Sequence, residues 1–181
     1  MSDSRGRVAF LTASEGIERI ELTAPWKTVR DAGFTPVLVS PEAGEVELFD
    51  HLTAVGKQPV DAVVADVGVD EFVGLVLPGG VANPDALRMD ADAVAFVGAF
   101  VDSGRPVAAI CHAAWTLVEA DRVRGRRLAS WPSLATDIRN AGGEWVDEEV
   151  VVDVNLVTSR NPSDLPAFNR ELIKALKGDN A

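Results

Sequence analysis

One thiol stands where a strand should hand over to a helix. Val107 to Ile110 (VAAI) reads as a buried strand and His112 to Ala120 as the helix behind it, so Cys111 falls on the turn between them. A nucleophile on such a turn projects above the sheet edge and faces the positive end of a helix, which lowers a thiol pKa and raises the thiolate fraction. Ala109 and Ala113, two residues before and after, are small enough to permit the turn, although they stand where a G-x-S-x-G elbow has glycines. On position alone, a buried small hydrophobe is an equally good reading of a lone Cys after a Val/Ala run. His112 shifts that balance, because an imidazole beside the thiol can take its proton while a carboxylate fixes the tautomer. His51, in a polar loop, reads as a solvated surface residue.

Two other loops carry unusual residues. Phe72 to Leu77 (FVGLVL) reads as a strand ending in Pro78-Gly79-Gly80. Adjacent glycines let backbone N–H groups approach a reacting carbonyl, as an oxyanion site requires, although the same tripeptide also makes a plain turn. The loop after the first strand, Val8 to Thr12 (VAFLT), holds Glu15, Glu18 and Glu21. Most glutamates at a helix start complement the dipole in water. One that points inward has a raised pKa and can donate a hydrogen bond to a thiolate, and spacing alone does not choose among the three.

Positioning these loops requires an alternating chain of strands and helices. Ile17, Ile20, Leu22, Trp26 and Val29 fall at roughly helical spacing with Gly33 as a stop, and Phe34 to Ser40 reads as a second strand, which makes a parallel βαβ unit. Glu45 to Asp66 reads as short strands or a hairpin excursion, and Ala91 to Asp102 as a helix. A helix over Leu134 to Ala141, strands over Val150 to Val152 and Leu156 to Ser159, and a helix over Pro162 to Leu176 complete the pattern. The expected fold class is α/β, a three-layer α/β/α sandwich on a mostly parallel sheet. In such sheets ligands sit beyond the carboxyl ends of the strands, where all three loops lie.

Composition sets the limits. The 181 residues carry 17 Lys+Arg against 28 Asp+Glu, a formal charge of −11, which opposes binding to a phosphate backbone and makes nucleic acid a poor partner. One Cys and two His leave no intrachain disulfide and no likeness to a Cys-rich zinc site; no metal or other cofactor is expected. Met1 to Arg7 is polar without an apolar signal region, and no apolar run is long enough for a membrane span, so the expected location is cytoplasmic. No composition break divides residues 1–181, which read as one domain.

At the three loops, the stretches VAFLTASEGIERIELTAPW, LVLPGG, PVAAICHAAW, ASWPSLATDIRNAGGEWVDEEVVVD and LVTSRNPSDLPAF resemble the PfpI-type intracellular protease family of the ThiJ/PfpI superfamily. The resemblance implies a flavodoxin-like, class I glutamine amidotransferase-like fold with a nucleophile elbow. It implies Cys111 as nucleophile with His112 beside it, Glu18 as the elbow glutamate, and Gly79, Gly80 and the His112 amide as the oxyanion site. Asp85 in the VANPD loop matches an acidic residue that reaches His across a subunit interface in oligomeric relatives, where it is Glu. Cys-His-Ala replaces the more common Cys-His-Gly. A homodimer or higher homo-oligomer is therefore implied.

No histidine follows His112, so the triad of a glutaminase is absent. Two functions from different classes remain. The first is a stress-related, cysteine-dependent hydrolase acting on a peptide, or on a small carbonyl such as an α-oxoaldehyde or its adducts. The second is a redox sensor or holdase without turnover, whose Cys111 oxidises under stress. The four Trp residues default to core, except Trp115, which lies one helical turn beyond Cys111 and can wall the pocket.

Overall fold

A computed structural model describes residues 5–178. In chain order the strands are β1 (Arg7–Leu11), β2 (Ile17–Glu18), β3 (Thr35–Ser40), β4 (Glu45–Asp50), β5 (Thr53–Pro59), β6 (Ala62–Val63), β7 (Gly74–Leu77), β8 (Val107–Ile110), β9 (Arg127–Leu128), β10 (Glu144–Trp145), β11 (Val151–Asp153) and β12 (Leu156–Ser159). The α-helices are α1 (Arg19–Asp31), α2 (Ala82–Leu87), α3 (Ala91–Asp102), α4 (Ala114–Glu119), α5 (Ala135–Asn140) and α6 (Leu165–Lys177). The main sheet runs β11-β12-β8-β7-β1-β3-β6 and is parallel except for the β11/β12 pair.

Alternation along the strands divides the core into two layers. Val8 and Phe10 of β1 face one way, with Leu38, Val76 and Ile110, and are covered by Leu22 and Val29 of α1 and Phe168 and Leu172 of α6. Ala9 and Leu11 face the other way, with Val39, Leu75 and Ala109, under Phe96 and Phe100 of α3 and Leu117 of α4. This is the three-layer mostly parallel α/β sandwich that the sequence pattern predicts.

The departures from the sequence expectation cluster near the site. Ile17 is not helical: it pairs with Leu48 in a separate three-stranded sheet, β2-β4-β5, so α1 begins only at Arg19. Helix α2 lies inside the VANPD loop, where no helix is expected. Behind Cys111 the chain first makes a 3-10 turn, Cys111–Ala113, and α4 follows with six residues. Strand β7 starts at Gly74 rather than Phe72, because the Glu71 carboxylate accepts the Gly68 N–H at 2.8 Å and closes a 3-10 turn over Val69–Glu71.

Phe168 is fully buried between α6 and the sheet. Truncating it to Ala should cost about 3–5 kcal/mol, a cavity-forming loss. Urea unfolding measures this, and a loss below about 1 kcal/mol would show that α6 contributes little to the core.

Candidate active site

Strand β8 delivers Cys111 to the sheet's carboxyl edge with φ 63°, in the left-handed region. For a residue with a Cβ that conformation costs about 1–2 kcal/mol, so neighbours must hold it. The Cys111 carbonyl accepts the Trp131 N–H at 3.0 Å. Gly79 packs directly on the turn: a methyl there would lie 2.6 Å from the Cys111 Cβ and 2.8 Å from the Ile110 carbonyl oxygen. The thiol residue ends up only 7% exposed.

Glu21, not Glu18, stands at the thiol. The buried face of α1 is Glu21, Leu22, Pro25 and Val29, so Glu21 lies on the apolar stripe and is 0% exposed. Its carboxyl faces the Cys111 thiol and the Gly79 and Gly80 amides, close but without full hydrogen-bond geometry at either oxygen. Burial, with the Glu18 charge second, pushes the Glu21 carboxyl up to about 8. Glu18 lies just before α1, partly exposed, and its carboxylate accepts the His51 N–H at 3.1 Å from the hairpin tip. The resemblance places the elbow glutamate on Glu18, and residue spacing leaves Glu15, Glu18 and Glu21 open. Ile17 is in β2 and Ile20 is 40% exposed, so the inward register falls three residues later.

The expectation of a depressed thiol pKa is also corrected. Burial pushes the Cys111 thiol up, the Glu21 charge adds to this, and the amides of Gly80 and His112 pull the other way. A 3-10 turn leading into a six-residue helix adds little dipole compensation. Of the three expected oxyanion donors, Gly80 and His112 present amides to the sulfur, whereas the Gly79 amide is directed at Glu21.

His112 sits with Nδ1 3.2 Å from the Cys111 Sγ and Nε2 3.5 Å from the Ser133 Oγ. Its ring is flanked by Trp115 at 5.2 Å and stacked on Trp131 at 5.6 Å. Trp115 is fixed by its indole N–H to Asp137 at 2.9 Å. Burial lowers the His112 pKa, which keeps the imidazole neutral and able to accept a proton at pH 7. Asp85 is exposed in the first turn of α2 and makes no hydrogen bond or ion pair to His112 among the described residues. Trp131, expected in the core by default, instead stacks on His112, and Asn83 is a further member that motif reading passes over. Asn83 is fully buried and accepts the Ala13 N–H at 2.7 Å. The signal for it is the Asn-Pro pair that begins three residues after Gly80, a turn initiator close behind a strand end.

Between about pH 4.5 and 8, folded Glu21 keeps a proton that the unfolded chain has released. Stability therefore falls as pH rises through that window, by up to about 1.4 kcal/mol per unit from this group. Glu21→Gln should flatten the decline, so that the melting temperature measured at pH 5 and at pH 8 differs less in the variant than in the wild type. Parallel curves for the two proteins would contradict the assignment.

Comparison with known proteins bears on this arrangement. The model of the DJ-1/PfpI family matches residues 6–175. "Protein/nucleic acid deglycase 2" of Escherichia coli (strain K12) is 43% identical over 176 residues, covering 94% of this chain and 97% of that protein. "Putative cysteine protease YraA" of Bacillus subtilis (strain 168) is 39% identical over 171 residues, covering 94% and 98%. Among solved structures, a two-domain protein from Anabaena variabilis with dj-1/thij/pfpi-like and ferritin-like domains superposes with a TM-score of 0.88 at 31% identity. That match covers 95% of this chain, which spans about half (48%) of the longer protein. With the match running almost from end to end and through all three loops, the chain belongs to the DJ-1/PfpI family.

Proposed function

We propose that this chain is a cysteine-dependent hydrolase of small carbonyl compounds, with Cys111 as nucleophile, His112 as proton acceptor and donor, and Glu21 as the carboxyl beside the sulfur. The observation that carries this is the left-handed Cys111, with Glu21 facing its thiol on one side and the His112 imidazole 3.2 Å away. His112 Nδ1 takes the thiol proton as sulfur adds to the carbonyl carbon and the C=O electron pair moves to oxygen. The oxyanion then faces the amides of Gly80 and His112, which are preorganised for it. Keeping Glu21 protonated at pH 7 spares the sulfur an adjacent carboxylate, so the site holds one negative charge rather than two.

On an α-oxoaldehyde the addition gives a hemithioacetal. Transfer of hydrogen from the first carbon to the second through a base gives an α-hydroxy thioester, and water releases the hydroxy acid and the thiol. On an acyl substrate the tetrahedral adduct expels an amine, protonated by His112, and water cleaves the thioester. The relatives named as a deglycase and a cysteine protease support both branches. A thiol residue only 7% exposed favours the first, because a small carbonyl reaches it more readily than a polypeptide backbone does. The charge of −11 weighs against a nucleic-acid polymer as substrate.

No helix among the described residues is long and apolar enough to cross a membrane. A reduced thiol fits a cytoplasmic setting. Exposed Asp85 at the start of α2 suits a homo-oligomer in which an acid approaches His112 from the neighbouring subunit.

Lactate formation from methylglyoxal tests the reading. Wild-type protein should turn over, and Cys111→Ser should lose more than about 100-fold in kcat/KM. An unchanged rate in that variant removes the mechanism, and cleavage of unfolded protein as fast as methylglyoxal conversion would reverse the preference between branches.

A further inference from the structure

The two amides of the Pro78–Gly79–Gly80 loop are aimed in a way that glycine alone does not dictate. Glycine at these positions supplies room: a Cβ on Gly79 would meet the Cys111 Cβ, and one on Gly80 would come 2.9 Å from the Glu18 nitrogen and run onto the Gly16 carbonyl. The same permissiveness leaves the peptide planes free to rotate. Something else must fix them.

Asn83 is 0% exposed, and its carboxamide serves three backbone groups. The oxygen accepts the Ala13 N–H at 2.7 Å, while the nitrogen donates to the Pro78 carbonyl at 2.9 Å and to the Gly79 carbonyl at 3.0 Å. The orientation of the carboxamide is unambiguous, because the N–H partner requires oxygen and the two carbonyls require nitrogen. All described peptides are trans, so each carbonyl points opposite to the N–H of the following residue. Holding the Pro78 oxygen therefore sets the Gly79 N–H, which is directed at Glu21. Holding the Gly79 oxygen, which also accepts the Glu18 N–H at a longer 3.4 Å, sets the Gly80 N–H, which is directed at both Glu21 and Cys111.

We propose that Asn83 is a positioning residue: one buried carboxamide aims both loop amides at the Cys111–Glu21 pair and ties them to the loop that leads into α1. The kinetic part of this inference rests on the proposed carbonyl chemistry, whereas the aim of the amides does not. Because Ala13 also hangs on Asn83, the carboxamide couples the loop after β1, which leads through β2 into α1 and Glu21, to the loop after β7, which carries the donors. Fixing both to one group sets the distance between acid and amides independently of any substrate.

Asn83→Asp separates this role from simple loop support, since aspartate keeps an acceptor for Ala13 and loses both donors. Two readouts are taken on folded protein: kinetics with methylglyoxal, and the pH profile of Cys111 alkylation by iodoacetamide. The variant should lose about tenfold or more in kcat with KM within about twofold. Its alkylation inflection should move to higher pH, because amides that favour the anion no longer face it. A folded variant with unchanged kcat and an unchanged inflection overturns the proposal, as does a lowered melting temperature with both readouts unmoved. Should Asn83→Asp not fold, Asn83→Gln keeps donors and acceptor but displaces them by one methylene, and it should give the same shifts at smaller size; no shift overturns the proposal. If the wild type itself does not turn over, the carbonyl reading fails and the alkylation profile alone decides on Asn83.

Discussion

One buried space beside the Cys111 sulfur tolerates one negative charge. Everything around it follows from that constraint. A carboxyl with no exposure and a thiol residue that is 7% exposed face each other at the carboxyl edge of the sheet, with the Gly79 and Gly80 amides on one side and the neutral His112 imidazole on the other. Two anions in contact there would repel strongly in a medium of low effective dielectric, so the pair gives up its protons in two separated steps. The carboxyl retains its proton at pH 7, and in the proposed mechanism the reactive anion forms on sulfur when a proton moves to His112.

That arrangement needs backbone that the rest of the fold must restrain. Cys111 is held in a left-handed conformation by the Trp131 N–H and by a glycine whose missing side chain makes room for its Cβ. Trp131 then lies over His112 while Trp115 takes another side, so one segment both clamps the turn and walls the base. The parallel strands β1, β7 and β8 are neighbours in the sheet, which is why loops distant in sequence meet at one edge.

Much of this was legible in the chain itself. Buried runs separated by helical stretches identify the layers, and the rule that sites lie beyond strand carboxyl ends selects three loops that the sheet order brings together. Cys111, His112, Gly79 and Gly80 stand out because each breaks an apolar run at such an end. The acid did not resolve so cleanly, since Glu15, Glu18 and Glu21 share one short loop and their aim depends on where α1 begins. Ile17 reads as a helical position but is recruited by β4, a pairing with a strand some 30 residues away that local periodicity does not carry. Asn83 hides for a related reason: a buried Asn is recognisable only from the backbone groups that surround it. A strand-to-helix turn suggests a full helix at the sulfur and hence a low thiol pKa, whereas α4 is only six residues long and burial and Glu21 dominate there.

The pH dependence of Cys111 alkylation, in wild type beside Glu21→Gln and Glu18→Gln, tests the shared-charge pair most directly. The wild-type rate should rise with an inflection near the Glu21 value of about 8 and then level off, because the first proton lost belongs to the pair. Glu21→Gln should abolish that inflection. Glu18→Gln should keep it and move it slightly lower, since the Glu18 charge helps hold the Glu21 proton. An inflection near 8 that survives Glu21→Gln, or one that vanishes with Glu18→Gln, would contradict the account.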